Sequence, residues 1–344
     1  MRIVSVNHAA VTSQAMGGEV SMHRQMVALA QAGHDVTVLA TRGVERPHEY
    51  GGVRILPLTD IGHQLMELDP QLVIGFHEES ILTSIAATAQ DRLSVTRIDA
   101  PPRYGRGLLP AVTTSDAAIY NTVAAAREWG EPQALVIHPP MPELPGRVSP
   151  SRPGDPYLLT SNLINKGVEV TLELAARMPH QPFWIIRSPA EPTHGYPGFA
   201  AKAARLPNVK VLERVLPHEM PELYRQARLV LVPSRYETYG MAGLEGLAHG
   251  RPCLHVRTDH ALEGVGPDFC VDTSLASLTA RIEDIESSWK DWSRRARTRA
   301  EEVQARQVEE LDYFGTWVTM LRRAPERLKT ARKNRIRRRV RMVR

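Results

Sequence analysis

At 344 residues the chain is too long for one comfortable α/β core, so two domains of about 150 residues are the natural expectation. Its composition, 42% hydrophobic and 24% charged, is ordinary for a soluble globular protein. The net charge of +5 misleads as an average: residues 322–344 hold twelve Lys/Arg against the single acid Glu326, and the remainder carries 31 basic and 37 acidic residues, a net of −6.

The N-terminus begins directly with a strand-like Arg2-Ile-Val-Ser-Val6 and shows no signal-peptide core. No apolar run reaches the ~18 residues needed to span a bilayer. In the first half, strands are expected at 2–6, 35–40, 53–56, 71–75, 94–98, 117–120 and 134–137, with helices near 18–32, 79–90 and 121–129. Short β-branched runs alternating with helices specify a parallel sheet covered on both faces. Residues 138–156, rich in proline, break this rhythm and read as a linker. The pattern restarts with strands at 157–161, 182–187, 209–213, 229–232, 252–256 and 268–271, and helices at 166–178, 197–206, 217–227 and 240–249. A helical stretch from about 275 to 324 ends this pattern, with Leu311, Tyr313, Phe314, Trp317, Val318 and Leu321 as its packing face. Two doubly wound domains with a cleft between them would place ligands at the carboxyl ends of both sheets. Cys253 and Cys270 fit neither a zinc motif nor a disulfide framework, so a reducing cytoplasm is the default setting.

The most informative segment is Pro233-Ser-Arg-Tyr-Glu-Thr-Tyr-Gly-Met-Ala-Gly-Leu-Glu245, which follows the apolar strand Leu229-Val-Leu-Val232. Glu237 falls in the loop and Glu245 in the second turn of the next helix, a separation of about 12 Å if wholly helical. Between them lie Tyr239, Gly240 and Met241, at a helix N-terminus whose unpaired amides favour an anion. This suits a sugar diphosphate: one carboxylate accepts hydroxyls of the sugar, the amides hold the diphosphate, and the other carboxylate accepts ribose hydroxyls. Two glutamates eight residues apart also arise by chance, so the context has to decide.

That context resembles the retaining GT-B glycosyltransferases of family 4, whose E-x₇-E motif lies in this place, and the tail Glu245-Gly-Leu-Ala-His-Gly-Arg-Pro252 is similar to theirs as well. Met16-Gly-Gly-Glu-Val-Ser-Met-His23 resembles the family's glycine pair, and Phe76-His-Glu-Glu-Ser80 resembles the segment whose histidine faces the reaction centre. Ser161-Asn-Leu-Ile-Asn-Lys-Gly167 is similar to its Arg…Lys-Gly segment, and Glu213–His218 to the loop that meets the nucleobase through its backbone. The resemblance implies two Rossmann-like domains facing a central cleft: an acceptor domain (1–140), a linker (141–156) and a nucleotide-sugar domain (157–310). A closing helix and basic tail (311–344) would return to the first domain. It further implies transfer of a hexose from a nucleotide sugar with retention of configuration and no required metal, UDP being the default carrier, and no other cofactor. His77, Lys166 and Glu237 would be catalytic. Gly17, Gly18, Asn162, Lys166, Val215, Glu237, Tyr239, Gly240, Met241 and Glu245 would hold the donor.

There are departures. Asn162 stands where most of the family carries arginine, so diphosphate charge falls to Lys166 or to another cation such as Arg187. Beyond Arg257 the usual glycine-rich stretch is replaced by Thr258-Asp-His-Ala-Leu-Glu-Gly264, which leaves the sugar open. No Asp-x-Asp, zinc-spaced His/Cys cluster or Gly-x-Ser-x-Gly elbow occurs. A dehydrogenase would need Gly-x-Gly-x-x-Gly after the first strand, where only Gly17-Gly18 stands. A nucleotide-sugar epimerase of similar build and a non-catalytic nucleotide-sugar or nucleic-acid binding protein remain as alternatives. The acceptor is open among glycan, lipid, protein and a modified DNA base. The basic tail 322–344 suits an anionic membrane or nucleic acid, or serves only as a solvated extension, so peripheral membrane association is also open.

Overall fold

The computed structural model describes residues 1–323, apart from 13–16, 78, 101, 103–105, 149, 214 and 273. The chain divides into two compact units, Met1–Pro140 together with Gln307–Arg344, and Met141–Arg306.

The first unit is built on an eight-stranded sheet. Its strands are β1 (Arg2–Ala9), β2 (Asp35–Arg42), β3 (His48–Tyr50), β4 (Val53–Pro57), β5 (Leu72–Phe76), β6 (Leu93–Ile98), β7 (Ala117–Tyr120) and β8 (Leu135–Val136). The order is β3-β4-β2-β1-β5-β6-β7-β8, parallel throughout except for β3 against β4. The strands expected from the sequence are all present. The addition is β3, a three-residue polar edge strand that turns back through Gly51-Gly52 and carries no apolar periodicity to betray it. Every residue of β5 is buried, as a continuous apolar run between two helical layers should be. The helices Gly17–Gln31, Glu79–Ala89 and Val123–Glu128 lie where expected. The helix Ile61–Leu68 was not expected, although Asp60 caps it by accepting from the His63 amide at 2.9 Å.

The second unit has a six-stranded, wholly parallel sheet of order β11-β10-β9-β12-β13-β14. These strands are β9 (Tyr157–Leu159), β10 (Phe183–Ile186), β11 (Val209–Leu212), β12 (Leu229–Val232), β13 (Cys253–Val256) and β14 (Cys270–Val271). The proline-rich segment after Pro140 belongs to this unit: Met141 is buried in its core, Arg297 Nη1 donates to the Pro145 carbonyl at 2.8 Å, and Arg228 Nη1 donates to Ser151 O at 3.5 Å. Side-chain donors thus satisfy backbone carbonyls that proline keeps out of regular elements.

The long terminal stretch forms two helices, Leu275–Ser287 and Trp289–Arg323. From Gln307 onward the second of them counts with the first unit, where Phe314, Val318 and Leu321 join the core containing Ile3, Met22 and Leu72. Spacing of four and three residues keeps those side chains on one stripe. Tyr313, expected on the same face, is instead 52% exposed, because one residue back from Phe314 is about 100° around a 3.6-residue helix. The expected tail beyond Arg323 lies outside the described residues. No described helix is long and apolar enough to cross a membrane.

Candidate functional site

In each sheet the chain first winds to one side and then restarts on the other. The switch falls between β1 and β5 in the first unit, and between β9 and β12 in the second. The carboxyl ends of strands at such a point leave a crevice that no crossover covers. The candidate residues concentrate at these two places.

At the second switch point Asn162 and Lys166 follow β9, and Glu237 follows β12. Lys166 Nζ donates to Glu237 Oε2 at 2.9 Å, a contact between residues 71 positions apart. Ser234 Oγ donates to the same oxygen at 3.2 Å, and the Thr238 amide donates to Oε1 at 3.1 Å. The two loops are also tied through their backbones: the Arg235 amide donates to Asn165 O at 2.9 Å, and a Cβ on Gly167 would come within 2.1 Å of the Pro233 carbonyl. Burial pushes the Glu237 carboxyl up, but the Lys166 ammonium, the His255 ring and the hydrogen bonds outweigh it and hold it at about 2. Lys166 dominates that balance, since burial lowers His255 below the usual histidine range despite Glu237 beside it. Glu237 is therefore an anion with a fixed orientation. Removing either partner would leave the other charge partly buried and unpaired, a change that is strongly destabilising in protein interiors.

The helix Met241–Ala248 begins immediately after this loop. Its N-cap is Gly240, with φ +87° and no side-chain cap, so the first-turn amides receive no capping side chain. Only glycine suits that position: φ is left-handed, and a Cβ would stand 2.7 Å from His255 Nε2. Met241 and Glu245 are half-buried. Glu245 Oε2 accepts from the Tyr224 hydroxyl at 2.8 Å, which orients the second carboxylate of the segment. Asn162 is buried, its Oδ1 accepts from the Ser188 amide at 2.8 Å, and its Nδ2 has no hydrogen-bond partner among the described residues.

Two of the expected site residues, Tyr239 and Val215, and the alternative cation Arg187 have different surroundings from the rest. Tyr239 is 1% exposed and its hydroxyl accepts from Arg306 Nη2 at 2.9 Å, so its side chain belongs to the core. Val215 is half-buried against the same core. Arg187, weighed as a substitute cation for Asn162, already faces Glu191 and Glu213, each at 3.3 Å.

At the first switch point Gly18 and His77 come together. A Cβ on Gly18 would lie 3.0 Å from Phe76 Cζ and 4.0 Å from His77 Nε2, whereas one on Gly17 would meet nothing within 4 Å. Gly18 thus lets the helix Gly17–Gln31 start against the end of β5. His77 has φ +50°. The left-handed region costs an L-residue about 1–2 kcal/mol, and such strain concentrates where a side chain must be aimed at a ligand. Its ring packs edge-on against Phe76 at 4.1 Å.

Sequence reasoning did not single out Ser234, His255 or Tyr224. Ser234 lay within the quoted segment, but His255 and Tyr224 reach the site through strand order and helix packing, which local spacing does not encode.

Residues 157–287 match the family model described as glycosyl transferases group 1. The matched span lies within the second unit. The matched span contains Asn162, Lys166, Glu237 and Glu245. No curated protein matches the chain. Among solved structures, sucrose-phosphate synthase from Thermosynechococcus elongatus is similar at 15% identity and TM-score 0.72, over 94% of this chain and 100% of that one. Anabaena HepE in complex with UDP-glucose gives 14% identity and TM-score 0.72, over 93% of this chain and 100% of that one. WaaG, a glycosyltransferase involved in lipopolysaccharide biosynthesis, gives 15% and 0.62, over 87% and 95%. At these identities the likeness establishes the fold: two α/β units of GT-B type spanning nearly the whole chain.

Proposed function

We propose that the protein transfers a hexose from a nucleotide sugar to an acceptor hydroxyl, with retention of configuration and without a required metal. The observation that carries this is the Lys166–Glu237 pair at a sheet switch point, beside a helix N-terminus that no side chain caps. On this reading Glu237 accepts hydroxyls of the transferred sugar, and the amides from Gly240 and Met241 onward hold the diphosphate. Lys166 stabilises charge on the departing phosphate, and Glu245, oriented by Tyr224, accepts from the ribose. The buried Asn162 Nδ2 adds a neutral donor to the diphosphate where a guanidinium is the usual provision. Val215 lies along the base through its backbone. Because cationic and dipolar stabilisation are both supplied by the protein, the chemistry needs no divalent ion.

His77, with Gly17 and Gly18, positions the sugar or acceptor on the first unit, and donor-phosphate oxygen takes up the acceptor proton on the attacked face. UDP-glucose is the first donor to try, because HepE of the same fold was crystallised with it. A screen of UDP-, GDP- and ADP-sugars in excess EDTA, read by release of nucleoside diphosphate, tests the reading. Release from at least one donor is expected, with the α-anomer formed from an α-linked donor. A product that forms from donor alone while the nucleotide stays attached to an isomerised sugar would make the protein an epimerase instead.

A further inference from the structure

The first switch point holds a second histidine that the foregoing reading does not use. His8 lies near the end of β1, and β1 pairs with β5 in parallel register up to Val6 opposite Gly75, so His8 and His77 each stand two residues beyond that pair. His8 Nδ1 lies 3.0 Å from Glu79 Oε1. Glu79 opens the helix Glu79–Ala89, which can start this close to β5 because residue 75 is glycine: a Cβ there would stand 2.5 Å from Ser80 Cα. The His8 side chain is 42% exposed and that of Glu79 is 13% exposed, and Glu79 Oε2 is buried with no partner among the described residues. The His8 carbonyl accepts from Thr41 Oγ1 at 2.5 Å, which fixes the backbone behind the ring.

A carboxylate can only accept, so the ring nitrogen facing it must carry the hydrogen. In the neutral ring the proton therefore sits on Nδ1, and Nε2 presents a lone pair away from the carboxylate. Two further His–Glu pairs of the described residues in this unit differ: His63 with Glu67 at 3.1 Å is an i,i+4 pair on the helix Ile61–Leu68, and His138 with Glu310 at 2.7 Å is a buried one. The side chains of His138 and Glu310 are 7% and 19% exposed, and Glu310 also accepts the His138 amide at 3.0 Å, as in a buried clip. Of the three, the His8 pair is the one that lies at the switch point, and its ring is accessible.

We propose that His8 Nε2 accepts a hydrogen bond from the acceptor hydroxyl, with Glu79 as the positioning residue that fixes the tautomer. This rests on the reading of the protein as a glycosyltransferase, and it assigns to the first unit a hydroxyl-recognising site made of His8, Glu79 and the neighbouring His77.

Two measurements test it. In ¹⁵N-histidine spectra of the full chain at mildly alkaline pH, assigned by loss of the signal in His8→Gln, His8 should appear as the Nδ1–H tautomer. Its Nε2 resonance should shift on titration with glycerol, used as a hydroxyl probe. Glu79→Ala should convert it to the Nε2–H tautomer, and Glu79→Gln, whose amide oxygen still accepts, should largely preserve it. An Nε2–H tautomer in the native protein, or an Nε2 signal unmoved by glycerol, overturns the proposal. In the second measurement, with UDP-glucose as donor, His8→Ala should lower the ratio of glucosyl-glycerol to free glucose about tenfold, roughly one hydrogen bond. An unchanged ratio overturns it, including the case in which transfer and hydrolysis fall together. If the native protein cleaves no nucleotide sugar, the donor reading fails while the tautomer spectra still decide on His8 and Glu79.

Discussion

The two units reach the same topological arrangement and equip it with opposite chemistry. Each has a parallel sheet whose winding reverses beside its first strand, and each gathers candidate residues at the carboxyl ends there. In the second unit that place carries a charged pair, Lys166 and Glu237, and an uncapped helix start. In the first unit it carries two histidines, a glycine packed on Phe76, and a backbone held in the left-handed region at His77. Fixed charge and free amides suit a diphosphate, whose own charge is large and permanent. Imidazoles suit a hydroxyl, which offers one proton and no net charge. Fold alone therefore does not distinguish the two sites; the side chains at the switch point do.

The comparison can be broken most sharply at the charged pair. Glu237→Ala and Lys166→Ala should each lower kcat for nucleotide-sugar cleavage about 10²–10³-fold, the usual consequence of losing one preorganised electrostatic group. His77→Ala should cost only about tenfold, as befits a neutral contact. Steady-state kinetics of the three variants check this ordering, and equal losses at Glu237 and His77 would remove the proposed division of labour.

A second prediction concerns acid stability. Burial lowers the His23 imidazole of the first unit to about 4, from the ordinary 6.5. The unfolded chain therefore binds a proton that the folded unit refuses, so this stability is complete above about pH 6.5 and is lost as pH falls to about 4. The loss is up to about 3 kcal/mol. Glu237 in the second unit acts in a lower window, giving stability that is present above 4.5 and lost as pH falls toward about 2. His23→Gln should flatten the pH dependence of denaturant midpoints in the upper window, and Glu237→Gln only in the lower one.

The smallest effect belongs to the second carboxylate. Tyr224→Phe removes the hydroxyl that orients Glu245 and should weaken nucleoside-diphosphate binding by about 0.5–1.5 kcal/mol, or two- to tenfold. Titration calorimetry with UDP measures it. An unchanged affinity would detach Glu245 from the ribose.

Much of the architecture was legible in the chain itself. The β-branched runs from Arg2–Val6 to residues 268–271, with the proline-rich break at 138–156 between them, located both sheets, because burial on two faces demands apolar residues in a row. The segment Pro233–Glu245 reads as a loop and a helix start because it follows the apolar strand 229–232, whereas Lys166 and Asn162 stand out through the resemblance of Ser161–Gly167 to a family segment. What failed locally failed for a physical reason. Tyr239 lies between Glu237 and Gly240 in the sequence, yet its side chain turns to Arg306, a partner 67 positions away. Tyr313 fell on the wrong side of its helix by one residue, and β3 is too short and polar to show a period.

Sequence by itself thus determined which segments are strands and helices and which loops carry ionisable groups, since these follow from short-range periodicity and steric preference. Only the tertiary structure decided which groups meet. Lys166 finds Glu237 and His8 finds Glu79 across 71 residues in each case, because strand order sets two distant loops side by side at a switch point. That juxtaposition turns a glutamate in a loop into an oriented anion, and an exposed histidine into a ring with a defined lone pair.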